Sequence, residues 1–113
     1  MKASGFNYMK LPKRAVAYYK NGAWGKPHLT RKATINLSES AGVLQYAQSV
    51  FEGMKIYRTK DGRIVCFRPE LNFLRLNDSC ERMMIPALKK EDFFECLSLL
   101  AKANKKYIPD SSD

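Results

Sequence analysis

The sequence lacks long hydrophobic runs, and this absence argues against a protein that crosses a membrane as a helix. None of its apolar stretches approaches the roughly 18 residues that a membrane-spanning helix needs. The opening segment, Met1 to Gly5, contains a lysine but is not followed by the apolar stretch of a secretory signal. We therefore expect a cytoplasmic protein with no membrane partner.

Cysteine and histidine are too sparse for a disulfide framework or a metal site. The three cysteines, Cys66, Cys80 and Cys96, are odd in number and widely spaced, and no Cys-x-x-Cys pair occurs. The single histidine, His28, lies in a turn-like Lys-Pro-His segment, which favours a surface position. We expect three buried or half-buried free thiols and no zinc site.

Acidic residues are outnumbered, and the chain of 113 residues carries a net charge of +9 at pH 7. This length fits one domain with a real core, and the charge favours anionic partners such as nucleic acid or phosphorylated small molecules. The lysines and arginines occur in scattered pairs, which is typical of a solvated face. A basic nucleic-acid-binding module remains an alternative, but we expect no nucleic-acid partner.

Turn residues divide the first half of the chain into short elements. Residues 1–14 are polar and are predicted to form an N-terminal arm. A β-prone run from Ala15 to Lys20 leads to Asn21-Gly22, a dipeptide that readily adopts the positive φ angles of a hairpin turn. The other elements predicted here are a return strand at Ala23-Trp24, a strand at Thr34 to Leu37, and a short turn of helix within Ser40 to Gln48.

The second half is predicted to hold one hairpin and two helices. Gly53 to Thr59 alternates apolar and polar residues, Lys60-Asp61-Gly62 is a hairpin turn, and Arg63 to Phe67 is a more apolar strand. The first helix opens at Pro69-Glu70 and stops before Pro86, and the second runs from about Lys90 to Lys106. Their apolar stripes are Phe73, Leu76, Cys80 and Met83 on the first, and Phe93, Leu97, Leu100 and Asn104 on the second.

This order of elements predicts an α+β fold in which an antiparallel sheet with hairpins packs against two helices. Residues 15–109 are predicted to form a small, incomplete domain, and residues 110–113 a polar tail. The strands are few and short, so the sheet is expected to keep an open edge. A continuation of the chain or a partner subunit would cover that edge.

No complete catalytic constellation is present, and Arg75 is the residue best suited to bind a ligand. The glycine spacing fits neither a phosphate-binding P-loop nor a dinucleotide fingerprint. Arg75 lies mid-helix beside the apolar stripe, where a guanidinium needs an anionic partner. A phosphate would serve, and so would an ordinary salt bridge with Glu52 or Glu70. The aromatics near Glu52 are predicted either as core or as the wall of an apolar substrate pocket.

Several consecutive segments resemble branched-chain amino-acid aminotransferases, which are pyridoxal-phosphate enzymes of fold type IV. The resemblance covers nearly the whole chain, and it is most specific from Phe51 to Arg75. It implies the small domain of that fold. The segments that carry it are Leu44-Gln45-Tyr46, Val50-Phe51-Glu52-Gly53-Met54-Lys55, the run from Tyr57 to Arg63, the run from Phe67 to Asn72, and Arg75-Leu76.

The resemblance implies roles for five residues and a cofactor. Arg75 would bind the phosphate of pyridoxal 5'-phosphate, and Phe51 and Gly53 would lie beside the substrate side chain. Tyr46 would reach the pocket of the neighbouring subunit in a homodimer, and Tyr8 of the N-terminal arm would line the same pocket. The substrates would be amino acids (leucine, isoleucine and valine) and 2-oxo acids.

The departures from the family pattern imply an incomplete enzyme. The family's Schiff-base lysine lies downstream, in a large domain that this chain does not contain, and none of the lysines here has a comparable context. We therefore expect no catalytic residue within the chain and no activity of the chain alone. A non-catalytic domain that keeps the fold and dimerises is the alternative.

Overall fold

The computed structural model describes residues 10–110, which form six short strands and three α-helices. The α+β class predicted from the sequence is confirmed. The elements are β1 (Arg14–Val16), β2 (Tyr19–Lys20), β3 (Ala23–Trp24), β4 (His28–Thr30), α1 (Gly42–Tyr46), β5 (Ile56–Arg58), β6 (Ile64–Cys66), α2 (Pro69–Arg82) and α3 (Lys90–Ala103), followed by a 3-10 turn at Lys105–Tyr107.

The strands form three separate antiparallel ladders instead of one sheet. The pairs are β1 with β4, β2 with β3, and β5 with β6. The predicted run from Ala15 to Lys20 is divided between β1 and β2, whose partners differ. The division lies at Tyr18, whose carbonyl accepts a hydrogen bond of 2.7 Å from the amide of Gly25. A Cβ atom at position 25 would lie 3.3 Å from that carbonyl oxygen, so glycine permits this close approach.

Both hairpin turns form where the sequence predicts them. Asn21 and Gly22 have φ angles of 52° and 82°, as a two-residue hairpin turn requires. Gly62 has φ of 85° in the turn between β5 and β6. The predicted return strand is β3, and the short helix predicted within Ser40 to Gln48 is α1. These local predictions are therefore confirmed.

The strand predicted at Thr34 to Leu37 is wrong. Residues 31–38 adopt no regular secondary structure and are exposed throughout, and the side chain of Ile35 is 83% exposed. A strand needs a neighbour that satisfies its backbone hydrogen-bonding groups, and no described segment pairs with this one. The unpredicted strand β4 lies just before it and pairs with β1.

Helices α2 and α3 supply the small hydrophobic core. The rings of Phe73 on α2 and Phe93 on α3 lie 5.4 Å apart, and Phe94 stands edge-on to Phe93 at 5.3 Å. Phe93 and Cys80 are the buried apolar residues of these helices. Many large apolar side chains within residues 10–110 are exposed, among them Ile35, Phe51 and Met84.

Side chains from elsewhere in the fold form hydrogen bonds with the backbone of the loop between α2 and α3. The amide of Asn77 donates to the carbonyl of Leu88 at 3.1 Å, and its oxygen accepts from the Leu88 N–H at 2.9 Å. The indole of Trp24 on β3 donates to the carbonyl of Ala87 at 2.8 Å. These hydrogen bonds attach the α2–α3 loop to helix α2 and to the β2–β3 hairpin.

Replacing Asn77 with alanine should lower the free energy of unfolding by about 1–3 kcal/mol, because two hydrogen bonds to the Leu88 backbone are lost. Urea unfolding followed by circular dichroism measures the change. The control is Asp78→Ala, at the next, exposed position of α2, for which we expect a change within about 0.5 kcal/mol. Equal effects of the two substitutions would contradict the role given to Asn77.

The edge of β5 that β6 does not occupy is partly covered by the end of the described chain. The amide of Arg58 donates to the carbonyl of Pro109 at 2.8 Å, and Arg58 forms a parallel bridge with Asp110. The strand edge that the sequence predicted to be open is thus paired at a single position, Arg58.

Within residues 10–110, no helix is both long and apolar enough to cross a membrane. In the same range, no group of three or more His, Cys, Asp or Glu side chains could hold a metal ion. The three cysteines are free, with Cys80 buried and Cys66 and Cys96 half-buried, as predicted. Burial raises the pKa of all three thiols.

Candidate functional site

The candidate site lies where the Glu52-Gly53 turn contacts helix α2. Asn72 and Arg75 are three residues apart on this helix and therefore share one face. Helix α2 begins at Pro69, whose fixed φ suits the first helical position, and Glu70 in its first turn complements the helix dipole. The helix thus presents an amide and a guanidinium to the turn that precedes β5.

One carboxylate oxygen of Glu52 accepts hydrogen bonds from both Arg75 and Asn72. Arg75 donates to Oε1 from Nε at 3.0 Å and from Nη2 at 2.5 Å. Asn72 donates to the same oxygen from Nδ2 at 2.9 Å. The Glu52 side chain is only 17% exposed, whereas that of Arg75 is 61% exposed. Of the two salt bridges that the sequence allowed for Arg75, the one with Glu52 is present.

Asn72 fastens the turn to the helix at a second point. Its Nδ2 atom also donates to the carbonyl of Gly53 at 2.9 Å, so both amide protons are used. Asn72 is 6% exposed, and a buried amide with satisfied donors fixes its surroundings more firmly than an exposed one. The Glu52-Gly53 turn is therefore held by one buried amide and one partly exposed ion pair.

The pairing shifts the pKa of both partners. The hydrogen bond from Arg75 is the main cause that holds the pKa of Glu52 below its usual value, and Asn72 adds to the effect. The same bond raises the pKa of Arg75. The ion pair is therefore fully formed at neutral pH.

Arg75 keeps the capacity to bind a second anion. Glu52 occupies Nε and Nη2, and Nη1 makes no hydrogen bond to any residue in the described range. Because the side chain is largely exposed, an incoming oxyanion could reach this edge of the guanidinium. Phosphate and carboxylate groups match the geometry of the guanidinium.

The predicted pocket residues do not meet in an enclosed pocket. Phe51 is 90% exposed and Tyr46 is 83% exposed, although Phe51 directly precedes Glu52. Gly53 is exposed, and an added Cβ atom there would meet nothing within 4 Å. Tyr8 lies outside the described residues. The structure brings together Gly53 and Arg75 through Asn72 and Glu52, and it leaves both aromatics open to solvent.

A separate cavity of about 230 Å³ lies between the end of α3 and β5. Its lining is apolar except for Asn104, which is 3% exposed and donates from Nδ2 to the carbonyl of Lys13 at 3.1 Å. The Oδ1 atom of Asn104 accepts no hydrogen bond from any residue in the range 10–110. The sequence placed Asn104 on the stripe of α3 but gave no sign of this cavity. Its lining residues are Leu11, Met54, Ile56, Leu100, Ala101, Asn104, Tyr107, Ile108 and Pro109.

Comparison with known proteins finds aminotransferases that are similar to this chain. The chain is 41% identical over 104 residues to a branched-chain-amino-acid aminotransferase of Helicobacter pylori, a match that covers 92% of this chain and 31% of the relative. It is 45% identical over 95 residues to a branched-chain-amino-acid transaminase of Bacillus subtilis, covering 83% of the chain and 27% of the relative. A methionine aminotransferase of Arabidopsis thaliana is 46% identical over 77 residues, which is 68% of the chain and 22% of the relative.

These matches confirm the resemblance predicted from the sequence. The chain spans less than a third of the length of these relatives. No family model matches it.

Proposed function

From this similarity to branched-chain-amino-acid aminotransferases, we propose that the chain is the N-terminal part of such an enzyme. The observation that carries the proposal is the match over 92% of the chain at 41% identity. The proposed reaction is the reversible transfer of an amino group between leucine, isoleucine or valine and 2-oxoglutarate. The chain's own contribution would be to bind and orient the cofactor and the substrate side chain.

The proposed cofactor is pyridoxal 5'-phosphate, which supplies the carbonyl group and electron sink of amino transfer when it is bound. The donor set at Arg75 fits its phosphate, because the guanidinium is charged, largely exposed and unpartnered at Nη1 among residues 10–110. The space around the Gly53 backbone leaves room for a ligand to approach. Arg75 would hold the phosphate by charge-assisted hydrogen bonds.

The proposed substrate pocket uses Phe51, Gly53, Tyr46 and Tyr8. Phe51 and Tyr46 are largely exposed, so another element would have to cover them to complete such a pocket. The remainder of the enzyme and a second copy in a homodimer would provide that cover. A wall of this kind would accept the apolar side chain of the substrate and exclude water from it.

The catalytic lysine is proposed to lie in the part of the enzyme that follows this chain, so residues 1–113 alone would be inactive. The exposed aromatic side chains also favour a second candidate, a non-catalytic domain that dimerises through the same surface. For that candidate, mass measurement in solution would show a dimer of the chain, and an activity assay would show no amino transfer.

A chimera tests the proposed function. Residues 1–113 replace the matching part of the Helicobacter pylori relative, and glutamate formation is measured from leucine and 2-oxoglutarate with pyridoxal phosphate. We expect turnover by the chimera and none by the chain alone, with the unaltered relative as the control. Methionine in place of leucine compares the two substrate classes named among the relatives.

A chimera that folds and binds pyridoxal phosphate without transferring the amino group would contradict the proposal. Turnover by residues 1–113 without the remainder would contradict the location given to the catalytic lysine.

A further inference from the structure

The Arg75 guanidinium is held along one edge by a network that is more elaborate than a surface ion pair. Three hydrogen bonds converge on Oε1 of Glu52, two from Arg75 and one from Asn72. Exposed ion pairs usually contribute little to stability, because two long side chains must be ordered to gain a weak attraction. Here Glu52 is mostly shielded and is already fixed by the buried Asn72, so much of that ordering is independent of any ligand.

We infer that Glu52 and Asn72 are positioning residues, which orient Arg75 before a phosphate monoester binds to its free edge. This inference rests on the proposed function of Arg75. The carboxylate occupies Nε and Nη2, which restricts the side-chain torsions of the arginine. The remaining donor edge, with Nη1, is then presented to the ligand in one orientation.

The expected benefit for ligand binding is that the Arg75 side chain is already ordered and loses little conformational entropy when the phosphate binds. Fixing a rotamer-rich side chain on binding costs about 0.5–1.5 kcal/mol, which corresponds to a roughly 2- to 12-fold loss of affinity when the cost is not met in advance. A carboxylate that acted only as a counter-ion would have the opposite effect. Its removal would strengthen the attraction between Arg75 and a dianion.

The test is binding of pyridoxamine 5'-phosphate to the 113-residue chain, followed by calorimetry. This probe carries the phosphate but has no aldehyde, so it does not react with the lysines. We expect Glu52→Ala to weaken binding roughly 2- to 12-fold, although it removes a negative charge. The matched control is Glu81→Ala, which removes an exposed carboxylate from the last turn of α2 and should leave binding unchanged or slightly tighter.

Asn72→Ala provides a second arm in which the charge stays constant. It removes the amide that fixes Glu52 and should weaken binding in the same direction. Tighter or unchanged binding by Glu52→Ala would overturn the inference. If Arg75→Gln leaves binding unchanged, the proposed phosphate site itself fails, whereas loss with Arg75→Gln but not with Glu52→Ala overturns only the inference.

If one of these variants does not fold, a pH titration of the unaltered chain tests the same inference. The probe is inorganic sulfate, which remains a dianion over the acidic range, and binding is followed at the Arg75 Nε–Hε NMR signal. Of the charged groups in residues 10–110, Arg75 is the one that acts on the pKa of Glu52, which is held below its usual value.

Acidification through that lowered pKa should weaken sulfate binding at Arg75, because the protonated Glu52 no longer holds the guanidinium. Binding that strengthens as Glu52 is protonated would show that the carboxylate is only a competing charge, and it would overturn the inference.

Discussion

Replacing Phe93 with alanine is expected to lower the free energy of unfolding by about 3–5 kcal/mol and to shift thermal unfolding to a clearly lower temperature. Phe93 is 9% exposed and joins the two long helices through its contact with Phe73. Truncation of a buried phenylalanine typically costs about 3–5 kcal/mol. Small domains are stable by only about 5–15 kcal/mol, so this loss would remove a large part of the stability of the chain.

Near-ultraviolet circular dichroism and thermal unfolding measure this effect. The control is Phe51→Ala, which removes the same side chain from a position that is 90% exposed, and its stability should change by no more than about 0.5 kcal/mol. A cooperative transition for Phe93→Ala within a few degrees of the unaltered chain would show that the α2–α3 contact is not the core of this fold.

Replacing Arg75 with glutamine is expected to remove the phosphate anchor of the proposed enzyme. Hydrogen bonds to charged groups contribute about 1.5–3 kcal/mol, so in the chimera the affinity for pyridoxal phosphate should fall roughly 10- to 150-fold. Glutamine also leaves Glu52, a mostly shielded carboxylate, without its cation. The cofactor dissociation constant and the rate of glutamate formation at saturating cofactor separate lost binding from lost chemistry.

Arg82→Gln is the matched control, because it removes the same charge from the exposed last turn of α2. It should change the cofactor affinity by less than about twofold, which is a weak long-range effect at physiological salt. Equal losses for the two variants would mean that the net charge of the chain, and not a contact at Arg75, attracts the cofactor.

The elements that depend on local chemistry could be predicted from the sequence. Asn21-Gly22 specifies its hairpin turn wherever the strands lie, and Pro69 starts α2 at the predicted residue. The errors concern pairing between distant segments. Thr34 to Leu37 has β-prone residues but no partner, while β4 forms because β1 is available to it. Strand propensity depends on such neighbours more than helix propensity does.

The sequence predicted only some members of the site and not its arrangement. Arg75 was predicted as the anion-binding residue and Glu52 as a possible partner, whereas Asn72 was not predicted as a member of the site. That one carboxylate oxygen would accept from both side chains depends on where the turn before β5 meets α2. The same holds for the hydrogen bonds between the Asn77 side chain on α2 and the Leu88 backbone in the α2–α3 loop, because the backbone atoms involved carry no sequence signature.

The interaction of Arg75 with a phosphate ester is tested most directly by titrating the ¹⁵N-labelled chain with pyridoxamine 5'-phosphate and, in parallel, with pyridoxamine. The Nε–Hε signal of Arg75 should shift with the phosphate compound and stay in place with the amine that lacks the phosphate. An Arg75 signal that is unmoved by the phosphate compound, while signals elsewhere in the chain shift, would contradict the assignment of this guanidinium as the cofactor anchor.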